Sequence, residues 1–205
     1  MLSYRKGQLV DVQQFLDSLT KDPDYKDQIA HIHTQPAREA QLADLPDGLH
    51  PGCDAFLKTL NVPPLYQPQA EAVEALLKGE NVILSSGTAS GKSLCYQLPI
   101  LETMLNDPNA TALMVFPAKA LARDQAVAWN KGVQSIPNID NSQSLLAVPY
   151  DGDSSANDKR AARDSARLMV TNPEMIHCNM IPGHGRWVRF LRGLKFIVID
   201  EVHTY

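Results

Sequence analysis

Residues 81–93, NVILSSGTASGKS, constrain this chain more than any other stretch. Val82, Ile83 and Leu84 are apolar and rich in β-branching, which predicts a short buried strand. Ser85, Ser86, Gly87, Thr88, Ala89, Ser90 and Gly91 follow. Such small residues let the backbone turn tightly and bring its N–H groups close to an anion. Lys92 and Ser93 then begin a helix whose positive end points back at the loop. Strand, small-residue loop, Gly-Lys-Ser and helix make the context of a phosphate-binding P-loop. In that arrangement the loop amides cradle phosphate oxygens, Lys92 reaches the β- and γ-phosphates, and the Ser93 hydroxyl ligates Mg²⁺. An ordinary strand-to-helix turn is the plainer alternative, and the fit on both sides argues against it. Ser86 stands where the usual pattern opens with Gly or Ala.

The chain has 205 residues, enough for one to two domains, and 44% of them are hydrophobic, enough for a packed core. With a net charge of -4 there is no bulk basic surface, so any contact with nucleic acid must be local. No apolar run is long enough for a bilayer and no leader-like segment opens the sequence. Cys53, Cys95 and Cys178 are odd in number, far apart and without C-x-x-C spacing. That pattern predicts reduced thiols acting as small buried hydrophobes in an intracellular compartment, cytoplasmic or nuclear.

Residues 1–62 read as a mainly helical or irregular extension, and residues 63–205 as the principal domain. Val12, Phe15, Leu16 and Leu19 lie at helical spacing and form an apolar stripe suited to docking. His31-x-His33 lacks partner ligands nearby and reads as two solvent-facing imidazoles rather than a metal pair. Residues 51–60 predict a short helix with Phe56, Leu57 and Leu60 inward. A further amphipathic helix, with Ala70, Val73, Leu76 and Leu77 on one face, closes at Gly79. Gln69 at its start carries an amide able to read an adenine edge, although a first-turn glutamine is more often simply exposed.

Beyond the Gly-Lys-Ser turn the pattern predicts a helix over 92–105, kinked or broken early at Pro99. Strands are expected over 111–116, 145–148, 167–170 and 195–199, with helices over 118–130, 157–166, about 174–180 and 187–191. Strands and helices alternate, and the strands are continuously apolar, as strands covered on both faces should be. The fold class is therefore α/β, a doubly wound parallel sheet of the P-loop NTPase type. Ligands in such sheets bind outside the carboxyl ends of the strands.

At the end of the last strand stand Asp200 and Glu201. One carboxylate beside Ser93 suits Mg²⁺, and a second orients the attacking water, so Asp200 is assigned to metal and Glu201 to water. An acidic pair alone is weak evidence, because strand ends are often charged. Together with the P-loop it points to nucleotide hydrolysis.

These residues resemble superfamily-2 helicases of the DEAD/DEAH-box type: GTASGKS, then Asp-Glu-Val-His, with Gln69 ahead of both. The segments HTQPAREA, LYQPQAEAVEAL, GTASGKSLCYQLPIL, FPAKALARDQ, YDGD, TNPEMIH and IDEVHTY are similar to RecQ-like fungal helicases and their bacterial relatives in DNA repair. The resemblance runs from about Gln28 to Tyr205 and implies a RecA-like first motor domain. It implies ATP and Mg²⁺ as cofactors, held by Gln69, by residues Gly87, Thr88, Ala89, Ser90, Gly91, Lys92 and Ser93, and by Asp200. It implies that Glu201 activates water and that His203 couples the nucleotide site to the nucleic-acid site. Pro117, Lys119, Ala120 and Arg123 would contact a single DNA strand through its backbone, as would Thr171, Asn172 and Pro173, with Asp151-Gly152-Asp153 between. Loops at strand ends offer amides and hydroxyls to phosphates and read no sequence. The polarity implied is 3′ to 5′. Arg186, Arg189 and Arg192 recur at helical spacing and suit a phosphate-facing stripe or a solvated face equally.

The resemblance implies a second RecA-like domain, whose arginines complete the ATP site in cis, expected to lie beyond Tyr205. An arginine finger is worth roughly 10³–10⁵ in rate. Weak Mg-ATP binding with little turnover is therefore the expectation for this chain alone, together with an unpaired sheet edge prone to aggregation. Two other classes compete: a nucleotide- or nucleic-acid-binding module without catalysis, and a P-loop ATPase acting on something other than nucleic acid. The segments at Pro117 and Thr171 favour the helicase over the latter.

Overall fold

The structure, a computed structural model, describes residues 11–34, 39–62, 64–85, 91–137 and 142–205. The chain divides into two compact units, Met1–Glu39 and Ala40–Tyr205. In the first, helix α1 (Val12–Thr20) is capped by Asp11, whose carboxylate accepts from the amides of Gln13 and Gln14. The apolar stripe is present, yet no α1 residue is buried.

The second unit begins with β1 (Leu42–Ala43), which pairs antiparallel with β2 (Leu65–Tyr66) around helix α2 (Pro51–Thr59). Helices α3 (Gln67–Leu77) and α4 (Lys92–Asn106) follow. Next come β3 (Thr111–Val115), α5 (Lys119–Gln134), β4 (Ala147–Pro149), α6 (Ala156–Ser165) and β5 (Leu168–Thr171). A single turn α7 (Pro173–Met175) runs into a π-helical turn, Ile176–Met180, and then into α8 (Val188–Gly193) and β6 (Leu194–Ile199). The four long strands form one sheet in the order β4-β5-β3-β6, and every pairing in it is parallel.

Alternation along β3 explains the layering. Ala112 and Met114 face a core shared with α2, α3, α4 and α5, whereas Leu113 and Val115 face a second core built on Tyr150, Ala162, Trp187 and Phe190. A strand buried on both faces is mostly apolar, and all five residues of β3 are buried, the one polar side chain, Thr111, donating its hydroxyl to the Phe190 carbonyl at 2.6 Å. The first core closes on Phe56 and Trp129, whose rings lie 5.4 Å apart, and the second on Trp187, which meets Tyr150 edge-on at 5.1 Å. Each such aromatic contact is worth about 0.5–1.5 kcal/mol beyond its buried area. Cys53, Phe56 and Leu57 of α2 sit in the first core, within the unit Ala40–Tyr205.

Several expectations need correction. Residues 82–84 form no strand, and Ile83 is 94% exposed. An extended segment becomes a strand only where a ladder partner takes its backbone bonds, and among the described strands β6 is paired on one side alone, with β3. β6 is correspondingly not covered on both faces: Ile197 and Ile199 are 59% and 53% exposed. Helix α4 does not stop at Pro99 but runs on to Asn106 with the proline buried. The expected strand start at Leu145 is a 3₁₀ turn, and pairing begins at Ala147. Cys53 and Cys95 are buried thiols, but Cys178 is exposed on the π-helical turn.

Arg167, read only as the first residue of a strand, is a buried cation. It donates to the carbonyls of Met104 and Asp107 at 2.7 and 2.5 Å and to that of Ala110 at 3.1 Å. These are carbonyls at the end of α4 and the start of β3, where a helix terminus exposes acceptors and a positive charge is favoured.

Candidate functional site

The parallel register aligns the carboxyl ends of the strands: Val115 is level with Thr171 and with Ile199, and Pro149 with Val170. The segments leaving those strands therefore emerge at one end of the sheet, as the topology of an open α/β sheet requires of a ligand site.

At β6 the ladder continues one residue further, the Asp200 amide donating to the Val115 carbonyl at 2.9 Å. Glu201 then turns left-handed, with φ 49°. This conformation is uncommon for a residue with a side chain and concentrates at functional positions. The Thr204 amide and hydroxyl both donate to the Glu201 carbonyl at 2.8 Å, and His203 Nδ1 lies 3.4 Å from a Glu201 carboxylate oxygen. Burial and the neighbouring Glu201 charge push the Asp200 carboxyl above its ordinary range, while the Glu201 amide and the Lys92 ammonium pull the other way.

That influence of Lys92 locates the start of α4. Tyr96, one turn on, is buried; burial pushes its hydroxyl up to about 12 against the lowering effect of a hydrogen bond with the Ser93 side chain, and the Asp200 charge adds to the rise. Lys92 and Tyr96 lie within electrostatic reach of Asp200, and residues 82–84, expected to lead into the loop as a strand, do not form one. Tyr96 was not singled out from the sequence; its spacing of three from Ser93 on a helix is the signal that would have found it. Gly87, Thr88, Ala89 and Ser90 lie outside the described residues. Gly91 is described, with φ 71°.

Gln69 is buried at the first turn of α3, not exposed. Its side-chain oxygen accepts from the Tyr66 amide at 2.8 Å and its amide donates to the Gly91 carbonyl at 3.1 Å. It so joins α3 directly to the residue that opens α4.

The remaining candidate residues sort into two groups. Pro117 and Ala120 are exposed, and Lys119 and Arg123 reach the turn after β4. Thr171 and Asn172 do not offer side chains outward. The Thr171 hydroxyl donates to the Tyr150 carbonyl at 2.6 Å, and the Asn172 side-chain oxygen accepts from the Met175 amide at 2.9 Å, capping α7; both residues are buried, and Pro173 is half-buried. Their side chains shape the loop, which leaves main-chain groups and the proline for any contact. In the basic stripe, Arg189 donates to the carbonyls of Arg163 and Ala166, tying α8 to the end of α6. Among the described residues no helix is long and apolar enough to cross a membrane.

A site with Mg²⁺ fits these side chains: a hydroxyl and a desolvated carboxylate beside a second carboxylate are hard oxygen donors in a partly open corner. The geometry agrees with what comparison finds. The chain is 38% identical over 197 residues to the ATP-dependent helicase HRQ1 of Saccharomyces cerevisiae, covering 96% of this chain and 18% of that protein. It is 35% identical over 190 residues to the uncharacterized ATP-dependent helicase YprA of Bacillus subtilis, covering 93% of this chain and 25% of that one. Among solved structures, the DUF1998 helicase MrfA bound to DNA and AMPPNP superposes with a TM-score of 0.76 at 38% identity, over 82% of this chain and 23% of that chain. The chain thus spans about a fifth to a quarter of the length of these relatives. The profile of the DEAD/DEAH box helicases matches residues 66–205, well over half of the 205 residues, and the chain belongs to that family.

Proposed function

We propose that this chain is the ATP-binding first motor domain of an ATP-dependent DNA helicase, moving 3′ to 5′ in DNA repair and completed by a second RecA-like domain of the same protein. The observation that carries the reading is the Asp200–Glu201 pair at the carboxyl end of the parallel sheet, where the Asp200 amide donates to the Val115 carbonyl, together with the Gln69–Gly91 bond at the start of α4. The printed names of the relatives, ATP-dependent helicases and a helicase bound to DNA and AMPPNP, support it.

Each residue has a defined task. The loop up to Gly91 wraps the phosphates with its amides, and Lys92 places a positive charge against the β- and γ-phosphates. Ser93 and Asp200 would hold Mg²⁺, whose charge would offset that of the phosphates. Tyr96 fixes the Ser93 hydroxyl. Glu201 orients the water through an exposed carboxylate, and His203, 3.4 Å from that carboxylate, relays its position. Gln69 contributes the adenine contact from its buried place beside Gly91. Pro117, Lys119, Ala120 and Arg123 with the loop after Thr171 cradle the phosphates of a single DNA strand.

The test is ATP hydrolysis by the intact protein with and without single-stranded DNA. Lys92→Ala and Glu201→Gln should each cut DNA-stimulated turnover by about 10²-fold or more, with Glu201→Gln retaining nucleotide binding. Turnover by Glu201→Gln at the level of the unaltered protein overturns the assignment. So does complete indifference to DNA.

A further inference from the structure

The two cations expected to meet DNA are already partnered. Arg123, on the second turn of α5, sets Nε 3.0 Å and Nη2 2.8 Å from Asp151 Oδ2. The same Nη2 lies 3.4 Å from Asp153, and Lys119 Nζ lies 3.3 Å from the other Asp153 oxygen. Lys159 closes the turn from below, donating to the Gly152 carbonyl at 3.2 Å.

The two carboxylates are not equivalent. Asp151 is 4% exposed, and its Oδ1 accepts from the amides of Asp153 and Ser154 at 2.9 and 3.1 Å. It is built into the turn and fixes Arg123. The Asp153 side chain is 63% exposed, and among the described residues its carboxylate pairs with Lys119 and Arg123 at 3.3 and 3.4 Å. An exposed pair of that length holds little energy and exchanges readily with solvent. A phosphate oxygen can make the same class of charge-assisted bond to these donors.

We infer that Asp153 is a displaceable counter-ion, occupying the outer donors of Lys119 and Arg123 until a nucleic-acid phosphate takes its place. This rests on the reading of these loops as a nucleic-acid surface. Within this cluster the two positive charges of Lys119 and Arg123 are matched by the two negative ones of Asp151 and Asp153, so a lone stray anion has to compete with a carboxylate already in place. A continuous backbone, which supplies neighbouring phosphates at once, can exchange with Asp153, whereas Asp151 stays to hold the guanidinium in place.

The experiment is a fluorescence-anisotropy titration of labelled oligothymidylate with the intact protein at several salt concentrations. Asp153→Asn should tighten binding roughly threefold or more at low salt, with the gain shrinking as salt rises. Asp153→Glu, which keeps the charge, should bind within about twofold of the unaltered protein, and Lys119→Ala should abolish most of the gain from Asp153→Asn. If the unaltered protein binds, Lys119→Ala weakens it, and Asp153→Asn binds equally or more weakly, the counter-ion inference is overturned while the nucleic-acid reading stands. If neither the unaltered protein nor Asp153→Asn binds, both fall together.

Discussion

The side-chain amide of Gln69 donates to the carbonyl of Gly91 across 3.1 Å, bridging 22 residues of sequence at the point where α4 begins. The same side chain accepts from the Tyr66 amide. Gln69→Ala removes two part-buried bonds, each worth about 0.5–1.5 kcal/mol. A melting temperature several degrees lower, with weakened Mg-ATP binding, is the expected outcome by thermal denaturation and nucleotide titration. Gly91→Ala should reproduce it by another route, since a Cβ there would come within 2.5 Å of Gln69 Nε2 on a left-handed backbone.

Gly132 is where α5 admits the ring of Phe56, and a Cβ would collide with that ring. Both residues are buried, so neither can swing into solvent. Gly132→Ala is expected to destabilise by about 1–3 kcal/mol through overpacking, read as a lower denaturant midpoint. Adding Phe56→Leu should recover part of that loss, because the clash is with the ring.

Arg167 serves three carbonyls at once through a planar fork. Removing it strands acceptors at the end of α4, at a cost of about 3 kcal/mol for Arg167→Ala. A lysine cannot span the same acceptors, so Arg167→Lys should restore less than half of the loss in chemical denaturation.

Asp151 carries the acid sensitivity of the loop pair. Burial pushes its carboxyl up, but the Asp153 amide, Arg123 and Ser154 outweigh that and hold it below its ordinary 3.8. A folded-state value below the unfolded one means stability that is present above the unfolded value and lost as pH falls through the folded one. Asp151→Asn should therefore lower stability by about 1–3 kcal/mol at neutral pH. The gap should stay constant down to roughly pH 5 and narrow below roughly pH 4, in urea melts across that range.

The sequence discloses chemistry better than pairing. Gly-Lys-Ser and Asp-Glu stand out because few residue types can grip a phosphate or a hard cation, and the helicase family they suggested is the one whose profile matches residues 66–205. The apolar run at 82–84 misleads because its strand character depends on a neighbour that no local pattern encodes. Thr171 illustrates the same limit: its hydroxyl bonds to a carbonyl 21 residues away, so its task is set by tertiary contact. Helix α2 shows the opposite balance, with Phe56 and Leu57 read as inward and found in the core.

Glu201 bends with a positive φ, so its backbone and its carboxylate can be interrogated separately. Valine or isoleucine there would register mainly a steric toll on the main chain, whereas glycine or asparagine would ease the curl while deleting the acid. A survey of replacements at this one position should accordingly sort into two independent axes, thermal tolerance along one and turnover along the other. The glycine variant belongs at the corner where the protein is sturdiest and least active.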